Sequence, residues 1–340
     1  MSKLALYIPE PLKRLSAPWF APVSEKHLFT KDLPPNFFET LVEKVSDPAS
    51  ARAIVLPNNF KTLDAEAASY IRTYADLGEK LNIPVFVFSL GDFTHDVRFD
   101  RRVYVFRFST YRSEIGSHDI VMPTSTEDPP EELLHTRTKK TKPTVSFCGM
   151  GGFPSTKDWV KYYIKNFIWD IKALFRESAK AKKIGVYWRR KMMRVCERSN
   201  LVETHFIVRR TFSGLRKTIE VDPKLARKEY LNSIAEADFV LAPKGDGNYS
   251  NRFLKTLAFG RIPVLVDTEV VLPLENVIDY SKIVVRVPMD RVHNTPRYIR
   301  EFYDALSEEE WASRQRLARN VFEEYLRQDS FFRYFFSHAL

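Results

Sequence analysis

The chain has 340 residues, 44% hydrophobic and 14% aromatic, which excludes a disordered or collagen-like polymer and is enough for two globular domains of ordinary size. Two cysteines exclude a disulfide framework and a cysteine zinc site. With no apolar run of about 18 residues and no secretory leader, the expected location is the reducing cytoplasm. The formal net charge of +10 is uneven: residues 137–217 hold 21 Lys and Arg against 5 Asp and Glu, a local +16 that leaves the remainder at −6. Such a region needs an anionic partner, and composition leaves open a nucleoside diphosphate, a nucleic acid, or an acidic membrane or polysaccharide.

Taken in order, residues 4–8 (LALYI) and 53–56 (AIVL) predict short buried strands. Between them Phe37, Phe38, Leu41, Val42 and Val45 fall at helical spacing. Residues 65–81 predict a long helix capped near Asp64, with Ala68, Ile71, Tyr74, Ala75 and Leu77 on its core face. The continuous apolar run 83–88 suits a central parallel strand covered on both faces. Strands alternating with helices predict a doubly wound α/β sheet, whose ligands lie beyond the carboxyl ends of the strands. Gly91, Asp92, His95 and Asp96 therefore border a crevice, with Asp92 the first candidate for a general base and His95 and Asp96 candidates for acceptor binding. The alternative for Asp92 is a turn cap. Residues 103–108 predict the next strand, and Arg107 and Arg112 near its end could bind acceptor or phosphate, or lie on a solvated surface.

Residues 124–143 are poor in large apolar side chains and contain Pro129, Pro130 and Pro143, the composition of a domain linker. Residues 144–149 (TVSFCG) open a second domain. Gly149, Gly151 and Gly152 at that strand's end would let a diphosphate approach or merely turn the chain. Residues 158–181 predict one or two amphipathic helices, whose aromatics (Trp159, Tyr162, Tyr163, Phe167, Trp169, Phe175) are expected to form a core stripe with a solvated basic face. A nucleic-acid or membrane surface is the alternative. Helices over 191–198 and 224–236 and a strand over 206–209 lead to residues 242–266, APKGDGNYSNRFLKTLAFGRIPVLV. That stretch reads as a strand end, a glycine turn, a helix from about Tyr249 burying Phe253, Leu254, Leu257 and Ala258, a left-handed stop at Gly260, and a second strand. The free N–H groups of the helix, Lys244 before the turn and Arg252 one turn in outline an anion site. A surface loop that simply needs glycine is the alternative.

Phe239, Leu241, Pro243, Gly245, Ser250, Arg252, Gly260, Ile262, Pro263, Val264, Leu272 and Pro273 fit in register the pattern F-x-L-x-P-x-G, S-x-R, G-x-I-P-V, L-P. The chain resembles the exostosin-type glycosyltransferases (glycosyltransferase family 47-like) on this signature. Further elements agree: Phe147 and Gly149 meet the family's F-x-G, Asp119, Ile120 and Pro123 its acidic-aliphatic-proline element, and Arg189 or Arg190 an arginine placed near the donor phosphates. One position departs: Lys255 stands where the family commonly has a glutamate for the donor ribose.

The resemblance implies a GT-B type α/β fold, two facing Rossmann-like domains with a C-terminal helix returning to the first. The expected division is 1–127 (acceptor side), 128–143 (linker), 144–305 (nucleotide-sugar side) and 306–340 (helices packing back on the first domain). It implies an inverting hexosyl- or pentosyltransferase using a nucleotide sugar, expected to be a UDP-sugar, and a glycan hydroxyl acceptor. Donor contacts fall to Lys244, Gly245, Asp246, Gly247, Asn248, Tyr249, Ser250, Arg252, Lys255, Arg189, Arg190 and Gly149, acceptor contacts to His95, Asp96 and Arg112, and the base to Asp92 or its rival Asp119. No Asp-x-Asp motif or His/Cys cluster is present, so neither metal nor other cofactor is expected. The absence of an apolar anchor suggests a bacterial or viral cytoplasmic relative, with peripheral membrane contact left open and no nucleic-acid partner expected. A non-catalytic nucleotide- or sugar-binding protein and a basic nucleic-acid-binding protein are the alternatives.

Overall fold

The computed structural model describes residues 3–13, 15, 40–92, 102–211 and 221–338. These fold as two compact units, one of Met1–Glu127, Val271–Leu274 and Glu324–Leu340, the other of Asp128–Val270 and Glu275–Glu323.

The first unit is built on six strands: β1 (Leu4–Tyr7), β2 (Val42–Val45), β3 (Ala53–Asn59), β4 (Val85–Phe88), β5 (Val103–Arg107) and β6 (Asp119–Val121). Every pairing is parallel, in the order β2-β1-β3-β4-β5-β6. β3, β4 and β5 are buried almost throughout, as a parallel sheet covered on both faces requires. Helix α1 (Ala65–Leu81) starts where the Asp64 carboxylate accepts from Ala67 N and stops at Asn82, which is left-handed at φ 59°. It buries Ala67, Ile71, Ala75 and Gly78, a face rotated toward Ala67 from the expected Ala68. Val42–Val45 is an edge strand rather than the expected end of a helix. VEKV fits both periods, and register with β1 (Leu4↔Val42, Tyr7↔Val45) decides between them.

The second unit holds β7 (Thr144–Met150), β8 (Glu203–Arg209), β9 (Phe239–Leu241), β10 (Ile262–Asp267) and β11 (Val285–Pro288), parallel in the order β11-β10-β9-β7-β8. Its helices are α2 (Thr156–Ala173), α3 (Gly185–Glu197), α4 (Pro223–Ala235), α5 (Asn251–Ala258), α6 (Thr295–Asp304) and α7 (Glu308–Val321). Phe253, Leu254, Leu257 and Ala258 of α5 are buried, as their spacing predicts, and Gly260 closes it at φ 65°. α2 departs from expectation. Of its aromatics Tyr162 is buried, while Trp159, Tyr163, Phe167 and the following Phe175 are exposed, so the stripe is surface rather than core.

The last helix, α8 (Gln328–His338), belongs to the first unit. Phe335 meets Phe86 edge-on at 5.5 Å and Phe106 at 5.1 Å, and Phe331 and Phe332 are fully buried. The aromatic C-terminus thus covers β4 and β5 and binds by area and edge-to-face geometry. Only part of 306–340 does so: α7 packs in the second unit, where fully buried Trp311 stacks on Phe239 at 5.5 Å. The capping box of Ser307 and Glu310 starts a separate helix at that point.

Residues 128–143 are not a free linker but a strap bound to the second unit. Arg137 exchanges two backbone bonds with the Gln315 amide (2.9 and 2.8 Å), Lys140 N donates to Tyr303 Oη, and Arg261 Nη2 donates to His135 O. The central anchor is Asp238, wholly buried, which accepts from Thr144 N and Oγ1 (both 2.8 Å) and from Arg137 Nε (3.0 Å). Side chains here satisfy much of an extended backbone, and Glu203 N of β8 donates to Pro143 O at its end (3.0 Å). Asp238→Ala removes one partner of a buried ion pair, so the urea midpoint is expected to fall by the equivalent of about 3 kcal/mol. A loss below about 1 kcal/mol would show that the strap is held elsewhere.

Candidate active site

Strand order places the site. In the second unit β8 lies on one side of β7 and β9 on the other, so the sheet reverses direction between β7 and β9, which pair at Val145↔Phe239 and Ser146↔Val240. In an open α/β sheet the ligand crevice forms beyond the carboxyl ends of the strands at that reversal. Cys148 to Gly151 leave β7 there, and Ala242 to Gly245 leave β9.

Two arginines frame the crevice. Arg252, second residue of α5, lies over the Phe147 ring (4.2 Å to the centroid) and donates Nη2 to Cys148 O at 2.8 Å. Gly149 is required beside it: its φ is 147°, and a Cβ there would lie 2.8 Å from Arg252 Nη2. Arg189, in the second turn of α3, donates Nη1 to Met150 O (3.2 Å) and reaches Lys244 O with Nη2 (3.5 Å), so it spans the ends of both strands. α3 comes this close because Gly185 has no side chain; a Cβ would sit 2.4 Å from the carbonyl oxygens of both Lys244 and Gly245. Burial lowers both guanidinium pKa values. Arg189 falls to about 10, pushed further by the Arg252 charge and opposed by Asp246, while Tyr230 and Cys148 oppose the fall at Arg252. A guanidinium keeps its proton in proteins at neutral pH; each has a buried Nε without a hydrogen-bond partner, and among the described residues neither forms an ion pair. A desolvated pair of like charges held on backbone carbonyls has the chemistry that suits an anion.

The other predicted donor residues divide. Gly245 N bonds Tyr249 O at 2.8 Å and closes the turn, with Asp246 at its exposed tip and Gly247 buried. The helix begins at Asn251, not Tyr249; Ser250 is its N-cap and its side chain caps no backbone N–H. Asn248 exchanges hydrogen bonds with Thr268 (3.0 and 2.7 Å), so it fixes the turn to the end of β10 instead of lining the crevice. Lys255 is half-buried one turn beyond Arg252. Arg190 separates from Arg189: it donates to Gly151 O at 3.1 Å and lies over the Phe153 ring. The helix begins at Gly185, before the expected start at 191, so both arginines are helical. Arg209, which sequence reasoning passed over, ends β8 with its guanidinium on Glu229 and 3.7 Å from the buried Cys148 Sγ. A basic residue closing a strand was its only signal.

Lys244 is buried, and its Nζ donates to Ala181 O at 2.9 Å, away from the expected role on the turn's anion side. Burial pulls its pKa from 10.5 to about 7, with Asp246 opposing and Lys182 adding to the fall. Between those values the unfolded chain binds more protons than the folded one, so this lysine makes stability rise with pH from about 7 to about 10.5. Lys244→Met is expected to flatten that rise in urea midpoints taken across the window. An unchanged slope would assign it to other groups.

In the first unit the sheet reverses between β1 and β3. Two adjacent asparagines at the end of β3, which carried no sequence signal, organise this edge. Asn58 pairs its amide with Leu12 N and O (2.8 and 3.3 Å), and Asn59 pairs with Leu90 N and O (2.8 and 3.1 Å). Asn59 thereby stitches the segment after β4 to the reversal point, with exposed Asp92 two residues further on. Asp119 is not available as the rival base. Its carboxylate accepts from Arg107 Nε at 2.7 Å and from Gly116 N at 2.8 Å, and both side chains of the ion pair are 5% exposed. Arg107 is therefore a structural partner rather than an acceptor residue. Arg112 is exposed, and His95 and Asp96 lie outside the described residues. Among the described residues no three His, Cys, Asp or Glu side chains gather as a metal site, and no helix is long and apolar enough to cross a membrane.

Comparison with known proteins agrees with the signature. The Exostosin GT47 domain model matches residues 85–302, well over half the chain. The Exostosin-1 homolog of Caenorhabditis elegans is 32% identical over 101 residues, 30% of this chain and only 25% of that protein's length. Among solved structures, a glycosyltransferase from Rickettsia africae ESF-5 aligns with a TM-score of 0.38 at 9% identity, covering 99% of this chain and 98% of that one. WaaG, a glycosyltransferase involved in lipopolysaccharide biosynthesis, aligns at 0.33 and 8% identity, covering 96% of each chain. With the signature of β9, the glycine turn, α5 and β10 inside the matched region, the chain belongs to the Exostosin GT47 family of glycosyltransferase domains.

Proposed function

We propose that the protein transfers a sugar from a nucleoside diphosphate donor, a UDP-sugar, to a hydroxyl of a glycan acceptor, with inversion at the anomeric carbon and without a metal ion. The observation that carries this reading is the Arg189 and Arg252 pair at the β7/β9 reversal, two ionised guanidiniums with orphaned Nε donors. As the bond from the anomeric carbon to the diphosphate lengthens, negative charge grows on the leaving oxygens. Fixed cations beside them stabilise that charge more than they stabilise the bound donor, which lowers the barrier. The acceptor hydroxyl loses its proton to Asp92 as it attacks from the face opposite the diphosphate. The first-turn N–H groups of α5, with no side-chain cap from Ser250, add partial positive charge beside the glycine turn.

A thermal-shift screen with UDP, GDP and a panel of nucleotide sugars tests the site, followed by transfer assays with and without EDTA. A rise in melting temperature with UDP and the matching UDP-sugar, and transfer that survives EDTA, is the expected result. Stabilisation by UDP with no transfer to any acceptor would leave a non-catalytic nucleotide binder. No response to any nucleotide would remove the reading.

A further inference from the structure

α2 carries an apolar face that nothing among the described residues covers. Trp159, Tyr163, Ile164 and Phe167 are 45, 47, 54 and 64% exposed, and Leu174 and Phe175 just past its end are 82 and 87% exposed. On a helical projection these side chains fall within roughly half the circumference, and the buried Tyr162 and Asn166 lie outside that arc. A contiguous apolar strip of this kind on a folded protein marks a contact surface.

Charge identifies the occupant. Lys161, Lys165 and Lys172 follow one another down the same edge of the strip, with Lys172 Nζ lying over the Trp169 ring at 4.6 Å. The two acidic residues of the helix are already engaged: Asp158 bonds Ser155 at the N-terminus (2.6 Å), and Asp170 pairs with Lys183 (2.5 Å). The strip is therefore bordered by three lysines against one carboxylate, Asp158, that pairs with no cation among the described residues, inside a strongly basic segment of the chain. A surface of indole, phenol, phenyl and aliphatic groups edged by lysine suits a helix lying flat in a bilayer interface, aromatics among the acyl chains and ammonium groups level with anionic headgroups.

We infer that α2 is a peripheral membrane-binding surface, which docks the second unit on anionic lipid. The inference is independent of the transfer reaction, because α2 contributes no residue to the crevice.

Flotation with vesicles of phosphatidylcholine containing about 30% phosphatidylglycerol tests it, using the full chain. Wild type is expected to float with these vesicles and not with pure phosphatidylcholine. The triple change Lys161→Gln, Lys165→Gln, Lys172→Gln should weaken binding by roughly a hundredfold. Phe167→Ser with Leu174→Ser should also release the protein while melting temperature and UDP stabilisation stay at wild-type values. Binding to anionic vesicles that survives the serine changes would overturn the proposal, since charge alone would then explain it. So would a failure of wild type to float, or a dimer in sedimentation that the serine changes dissociate.

Discussion

Arg252→Ala is expected to lower kcat/KM for the nucleotide sugar by roughly 10²- to 10³-fold, with most of the loss in kcat. The guanidinium rests on the Phe147 ring and Cys148 O and has no carboxylate partner among the described residues, so its removal breaks no ion pair and opens a gap at a strand end rather than in the core. The change in stability should therefore stay near about 1 kcal/mol, the scale of a cation-π contact. Arg252→Lys keeps the charge but not the planar fork and should recover only part of the rate. If the alanine variant turns over normally while its melting temperature falls, the arginine is a structural prop and the leaving group is stabilised elsewhere.

Asp92→Asn is expected to reduce transfer by roughly 10²- to 10⁴-fold while UDP still raises the melting temperature as in wild type. Removal of a base withdraws the proton acceptor without touching the donor site. The contrast with Asp119→Asn makes the test specific. Asp119 is locked to Arg107 and Gly116 N, so the amide should cost stability first, by about 3 kcal/mol, with activity lost only as folded protein is lost. Full activity in Asp92→Asn would remove Asp92 as the base.

Much of the glycine-turn unit was legible from residues alone. The strand, turn, helix and strand of 242–266 follow from apolar spacing, a glycine stop and a proline-entered strand, and the structure has Phe239–Leu241, Asn251–Ala258 and Ile262–Asp267 in those roles. Local pattern could not say where Lys244 and Asn248 point. Both lie beside the turn in sequence, yet one is drawn to Ala181 O and the other to Thr268. Nor could it separate Arg189 from Arg190, which both meet the end of β7, although only Arg189 also reaches Lys244 O beyond β9. The aromatic stripe of α2 shows the same limit: periodicity reveals that a helix has an apolar face, not that another element covers it.

What the sequence determined by itself is the set of local units, because hydrophobic period, caps and turn residues act over a few positions. Tertiary structure alone decided which strands are neighbours, and so that the reversal falls between β7 and β9, where Arg189 can bridge segments 94 residues apart (Met150 and Lys244). It also turned residues 128–143 from a polar linker into a strap on Asp238 and consumed Asp119 in an ion pair with Arg107. The physical reason is common to all three. A charged or polar side chain takes its role from the partner that satisfies it on burial, and that partner is supplied by the packing of distant segments.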